Sequence, residues 1–188
     1  MRRKLIDWTV TIAVAIGIVL VFEAEVAKPY RIPSSSMEPT LHCAKPGDYC
    51  RGSSNDRIIA NRLAYDFGSP QRGQIVVFKA PPRASACAPG DGGTTFVKRL
   101  IGLPGDRVSE RDGVVFVNGT RLREPYVAPA LRDRETGAWP VVAAGRYFFM
   151  GDDRAHSCDS RVWGTVARGS LIGPVLATYW PLSRIGLR

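Results

Sequence analysis

Residues 95–119 read TFVKRLIGLPGDRVSERDGVVFVNG, and their punctuation decides the fold class. The first seven residues form an apolar strand-like run, and Gly102, Leu103, Pro104, Gly105 and Asp106 turn the chain. Two short runs, 107–110 and 114–117, then flank Asp112-Gly113, the strongest short hairpin signal. Asn118-Gly119 turns the chain again. The same grammar continues outward on both sides. Residues 56–66 (DRIIANRLAYD) are strand-like, and QIVVFK (74–79) follows a turn at 69–73. RYFFM (146–150) and PVLATYW (174–180) are late strands. Residues 34–41 (SSSMEPTL) suit a short helical turn. Residues 80–93, rich in Pro, Gly and Ala, read as a loop. The 19 Gly and 14 Pro of the 188 residues fit many turns. No helix-period stretch follows the N-terminal segment. The expected body is mainly β: a coiled antiparallel sheet or small barrel over 28–188, with a small hairpin and flap insertion at 107–145. Residues 122–144 are irregular and suggest no function.

Residues 8–22 read WTVTIAVAIGIVLVF, without a charge, behind Arg2, Arg3 and Lys4. Fifteen residues are short for a bilayer of ~30 Å at ~1.5 Å per residue. Leu5, Ile6, Ala24, Val26 and Ala27 extend the run, and the flanking basic residues can snorkel. A cleaved secretory signal is the competing reading. It fits poorly, because a cut after Ala27 puts Glu25 three residues back, and a cut after Ala24 puts Phe22 there. One retained transmembrane helix within residues 1–27 is expected. The positive-inside rule then leaves the N-terminus cytoplasmic and the body outside, at the cell membrane.

The net charge is +9. The basic residues are scattered rather than striped, which argues against nucleic acid and leaves a solvated surface or anionic lipid. The four cysteines, Cys43, Cys50, Cys87 and Cys158, suit disulfides outside the cytoplasm and allow three pairings. Only two histidines exist, His42 and His156. His156 stands next to Ser157 and three residues before Asp159, a crowded basis for a Ser–His–Asp triad, so a Ser–Lys pair deserves consideration. Alternation puts Lys98 on one face with Phe96 and Leu100 and turns Arg99 away. A lysine on an apolar face must be paired, snorkelled or neutral.

Four segments in order resemble the bacterial type I signal peptidases, and the likeness covers nearly all of the chain after the anchor. Residues 33–41 (PSSSMEPTL) resemble the family's nucleophile segment. Residues 72–78 (RGQIVVF) resemble its next strand, with Gln74 where an acidic residue is common. Residues 97–106 (VKRLIGLPGD) resemble its lysine segment. Gly151-Asp152-Asp153-Arg154 and residues 157–161 (SCDSR) resemble its last segment, with Asp153 where Asn is usual. Each alone has a bland reading; three serines before Met-Glu-Pro make a good helix cap.

The resemblance implies a membrane serine endopeptidase that cuts signal peptides from exported preproteins after small residues. It implies Ser36 as nucleophile and Lys98 as neutral general base. Ser34 and the Ser36 amide would form the oxyanion hole, Ser157 would orient the Lys98 amine, and Asp159 and Arg161 would pair to hold that loop. Asp152 and Arg154 would do similar structural work. Tyr30, Ile32, Phe96 and Val97 would line a shallow pocket, with the substrate adding a strand to an open edge. A monomer without cofactor, metal or nucleic acid is implied. Cys43 and Cys50 bracket a turn-rich loop after the nucleophile segment; a bridge there would rigidify it and leave Cys87 to pair with Cys158. A zinc site with His42 is the alternative, and its spacing matches no standard pattern. Two other functions compete: a related Ser–Lys peptidase with one dedicated substrate, and a dead relative that binds exported segments. The latter should lack Ser36 or Lys98, and both are present.

Overall fold

The computed structural model describes residues 8–17, 26–86 and 95–188. Residues 8–17 form a helix, α1, with every side chain exposed. Residues 1–7 and 18–25 of the expected anchor lie outside the described residues, and its last residue, Ala27, begins a β-strand. Among the described residues no helix is long and apolar enough to cross a membrane.

The body is mainly β. Eight strands form one antiparallel sheet: β1 (Ala27–Arg31), β2 (Arg57–Asn61), β3 (Ile75–Lys79), β4 (Thr95–Gly102), β9 (Arg146–Met150), β10 (Val166–Ala167), β11 (Leu171–Trp180) and β12 (Gly186–Leu187). Their order is β1-β2-β11-β3-β4-β9-β10, with β12 also on β11. β1 and β10 end the path, so the sheet is open rather than a closed barrel. Register shifts at Leu171/Gly173 and Val175/Ala177 in β11, and at Leu100/Gly102 in β4, bend the strands and coil the sheet. Gly173 has no room for a side chain, because the Asn61 carbonyl lies against it. Among the described residues, two four-residue α-helices, α2 (Ala64–Phe67) and α3 (Ser160–Trp163), and several 3-10 turns interrupt the body. α2 takes the second half of the strand-like run 56–66. β2 stops at Asn61, whose side chain accepts the Leu63 N–H at 3.0 Å and turns the chain.

The second sheet has four strands, in the order β7 (Thr120–Arg121), β6 (Val114–Val117), β5 (Val108–Arg111) and β8 (Gly137–Ala138). Its hairpins turn at Asp112 and Gly113 (φ 47° and 71°) and at Asn118 and Gly119 (φ 52° and 80°). Both turns need two left-handed residues in a row, which Asp, Asn and Gly tolerate best.

Three apolar clusters meet along β4. Val97 packs on Ile32, Met37, Leu41, Ile58 and Val77. Phe96 and Leu100 belong with Val76, Phe78, Phe149 and Trp163. Ile101 joins Val108, Val115, Phe148 and Met150, which fixes the second sheet to the end of the first. β4 therefore has no polar face, and its two consecutive cations, Lys98 and Arg99, are both buried.

Candidate active site

Ser36 lies in a 3-10 turn, Ser35–Met37, that follows β1. Apolar packing fixes the turn from beneath. Met37 and Leu41 are buried in the first cluster, and the Leu41 N–H reaches the Met37 carbonyl at 2.9 Å. Glu38, fully buried, accepts the N–H groups of Cys43 (3.1 Å) and Arg51 (3.0 Å) and pairs with the His42 ring. Ser36 is left at the lip, 8% exposed, with Ser34 Oγ 3.5 Å from its own Oγ.

Lys98 faces β3 at Val76 and is only 5% exposed. Its Nζ lies 5.8 Å from the Phe96 ring centre. Among the described residues it forms no ion pair. Burial pushes its pKa down to about 8; Asp159, Asp152 and Asp153 oppose that shift and Arg161 assists it.

The loop after β9 joins the two. The Asp153 N–H donates to the Ser36 carbonyl at 3.2 Å. Asp152 accepts the Arg99 fork at 2.8 and 2.6 Å and the Thr40 hydroxyl at 2.5 Å, so it ties the lysine strand to the nucleophile turn. Gly151 cannot carry a side chain, since a Cβ would run into the Ser157 side chain and the Ser36 carbonyl. Its N–H donates to Asp159 at 3.0 Å. Ser157 Oγ is buried in the same place and has no hydrogen-bond partner among the described residues.

Asp159 and Arg161 form a two-pronged pair, 2.9 Å on each prong, and Asp159 caps α3 through the Arg161 N–H at 3.2 Å. The pair is buried, unlike a surface ion pair. Burial pushes the Asp159 carboxyl up, but the Arg161 guanidinium, Lys98 and the Gly151 N–H more than offset it and hold it below the usual range. Of the other two residues expected to hold this loop, Asp152 reaches out of it to Arg99 and Thr40, and Arg154 bonds both within it and beyond it. Arg154 donates to the Gly151 carbonyl at 2.9 Å and pairs, fully buried, with Glu124.

Residues 122–144, which suggest no function as sequence, supply these counter-charges. Glu124 receives both Arg154 and Arg132. Tyr126 lies under the Arg99 guanidinium at 3.8 Å, a cation–π contact. Asp133 pairs with Arg161, and the Trp139 indole N–H donates to the Arg161 carbonyl at 3.3 Å. The carboxylates of Glu110, Asp133 and Glu135 gather here, and the Arg161 guanidinium is the cation they face. No local sequence signal reveals the partners that 122–144 supplies to Arg154 and Arg161, because these pairs lie 22 to 30 residues apart along the chain.

The four expected pocket residues do not share one surface. Ile32 is core, with Tyr30 and Val97 packed against the same cluster. Phe96 lies on the opposite face of β4, edge-on to Phe78 at 6.3 Å. Cys43 is bonded to Cys50. Cys158 is also disulfide-bonded, and the Cys87 expected as its partner lies outside the described residues. Each histidine is bound to a carboxylate, His42 to Glu38 and His156 to Asp153.

Residues 5–180 match the family described as signal peptidase, peptidase S26. A protein of Synechocystis sp. named probable signal peptidase I-2 is 40% identical, over 94% of this chain and 74% of that one. Signal peptidase IB of Staphylococcus aureus is 30% identical over 97% of this chain and 93% of its own. Signal peptidase I of Mycobacterium tuberculosis is 34% identical over 99% and 76%. The crystal structure of a signal peptidase I from Enterococcus faecalis, 34% identical, matches 57% of this chain and 97% of its own with a TM-score of 0.48.

Proposed function

The chain belongs to the signal peptidase family, peptidase S26, and we propose that it is a membrane-anchored endopeptidase that uses a Ser36–Lys98 dyad. Family membership makes it a serine peptidase of exported preproteins. The dyad, the anchor and the preference for small residues are our reading. One observation carries it: a lysine buried on an interior strand, without an ion pair among the described residues, whose pKa burial lowers to about 8.

Such a lysine is partly neutral at ordinary pH and can accept the Ser36 proton. Ser36 Oγ then attacks the scissile carbonyl, and the Ser36 amide and Ser34 hydroxyl receive the developing oxyanion. Removing one such donor costs about 3 kcal/mol, or roughly a hundredfold in kcat. Lys98 next gives its proton to the departing amine, and water activated by the same amine releases the acyl group. Ser157, whose Oγ is buried and has no partner among the described residues, is the hydroxyl available to orient that amine.

The substrate binds as an added strand. β4 pairs with β9 only from Arg99 onward, so among the described residues the edge of 95–98 facing that side is open. Tyr30 and Val97 line its residues before the cut, and close packing there favours small side chains. The retained anchor holds the site near the substrate's own apolar segment.

The test is cleavage of a signal-bearing precursor by detergent-solubilised protein. Ser36→Ala and Lys98→Met are expected to abolish cutting, and His156→Ala to leave it within about tenfold of wild type. Cutting that survives Lys98→Met and disappears with His156→Ala would replace the dyad with a histidine-based mechanism. Failure of wild type on several precursors with small residues before the cut would point to one dedicated substrate.

A further inference from the structure

The disulfide loop 43–50 reaches back over the site through its last free side chain. Tyr49 sits one residue before Cys50 with φ at 60°, a left-handed conformation that tyrosine seldom adopts. The loop leaves it little choice. The Cys43–Cys50 bridge closes the turn, and the Cys50 N–H bonds to the Gly47 carbonyl at 3.0 Å. Gly47 lies against Cys50 Sγ with no room for a side chain. Glu38 holds the N–H groups on both flanks, at Cys43 and Arg51.

This confinement lays the Tyr49 ring on the His156 imidazole, with centroids 3.5 Å apart and planes 20° from parallel. Tyr49 is 63% exposed, so core packing does not hold the ring. His156 lies at the middle of the site loop. Its backbone N–H and its Nδ1 both reach Asp153, whose own N–H holds the Ser36 carbonyl. The next residue is Ser157, packed against Gly151.

We propose that Tyr49 is a positioning residue: held by the Cys43–Cys50 bridge, its ring clamps His156 and so fixes Ser157 in place for Lys98. The inference rests on the Ser36–Lys98 reading above. The clamp touches neither Tyr30 nor Val97, so it acts on turnover rather than on substrate affinity. It also makes turnover depend on the bridge, because reduction frees Tyr49 from the conformation that stacks it.

The experiment is steady-state cleavage of one precursor by the full chain in detergent. Tyr49→Ala should lower kcat about tenfold, the size of a lost aromatic pair, with KM changed less than about twofold. Tyr49→Phe should restore the rate, because the stack needs the ring and not the hydroxyl. His156→Ala should match Tyr49→Ala, and the double variant should be no slower than either. Cys43→Ser with Cys50→Ser should reproduce the same loss while the Cys158 bridge stays intact. Wild-type kcat in Tyr49→Ala, a loss that Phe does not restore, or additive losses would each overturn the clamp. A dead Ser36→Ala beside an unaffected Tyr49→Ala overturns the clamp alone. Cleavage by Ser36→Ala overturns the dyad and the clamp together.

Discussion

Burying Lys98 beside Phe96 and Leu100 costs folding energy that an exposed lysine would not. Its folded pKa of about 8 lies below the ordinary value of 10.5. Between those values the unfolded chain holds the proton more tightly, so stability rises with pH across that window and the cost is full below about pH 8. The gap between the two values bounds that cost at a few kcal/mol. Lys98→Met is therefore expected to be inactive yet more stable at pH 7, by about 1–3 kcal/mol in denaturant melts, with the gain fading as the pH rises from about 8 to 10.5. The same pKa fixes the rate profile. Cleavage should rise about tenfold per pH unit below 8 and level off above it. A profile that is flat from pH 6 to 9 would remove Lys98 as the base. Gly151 argues the converse case of a residue chosen for its absence of side chain. Gly151→Ala pushes Ser157 and the Ser36 carbonyl apart, so kcat should fall about a hundredfold while the fold survives.

At the scale of elements, the strap 122–144 is what the site loop leans on. Glu124 and Arg154 are both buried, and removing one partner leaves the other charged without compensation. Glu124→Gln is expected to cost about 3 kcal/mol in thermal or urea unfolding. Glu124→Leu with Arg154→Met should recover most of that loss, since a packed apolar pair needs no counter-charge. Equal losses in the single and double variants would show that volume, not charge, holds the strap. This division explains what the sequence made legible. The hairpins at Asp112-Gly113 and Asn118-Gly119 were readable because a left-handed turn is a local demand with few solutions. The strand holding Lys98 was readable from alternation, but the fate of Arg99 was not. Its face should have been the polar one, and it is instead closed by Asp152 and Tyr126, both distant in sequence. The strap went unread for the same reason, since irregular backbone carries no period. Ser36, Lys98 and Ser157 stood out through ordered family segments, whereas Tyr49 stands out only through the ring beneath it.

For the whole molecule, the proposed function requires that a site on a β domain meet a bond close to a lipid surface. β1 continues from the N-terminal segment and leads directly into the nucleophile turn. At the far end of β11 the chain exposes a second apolar group: Trp180, Leu182 (72% exposed), Ile185 and Leu187 (87% exposed). Trp180 pairs with Arg57, and Arg57 with Arg31, so the group lies across β2 from β1 and beside basic residues. Scattered single leucines need no explanation, but four large apolar side chains within eight residues, next to arginines, suit an anionic bilayer interface. Under the proposed function, contact there would add to the N-terminal anchor and orient the open edge of β4 toward a membrane-held substrate. Leu182→Ser with Leu187→Ser should then leave cleavage of a short soluble signal peptide unchanged. It should slow cleavage of a precursor embedded in anionic vesicles about tenfold, a modest loss for two apolar side chains of surface contact. An equal loss on both substrates would assign these residues to the fold. No loss on either would leave orientation to the N-terminal segment alone.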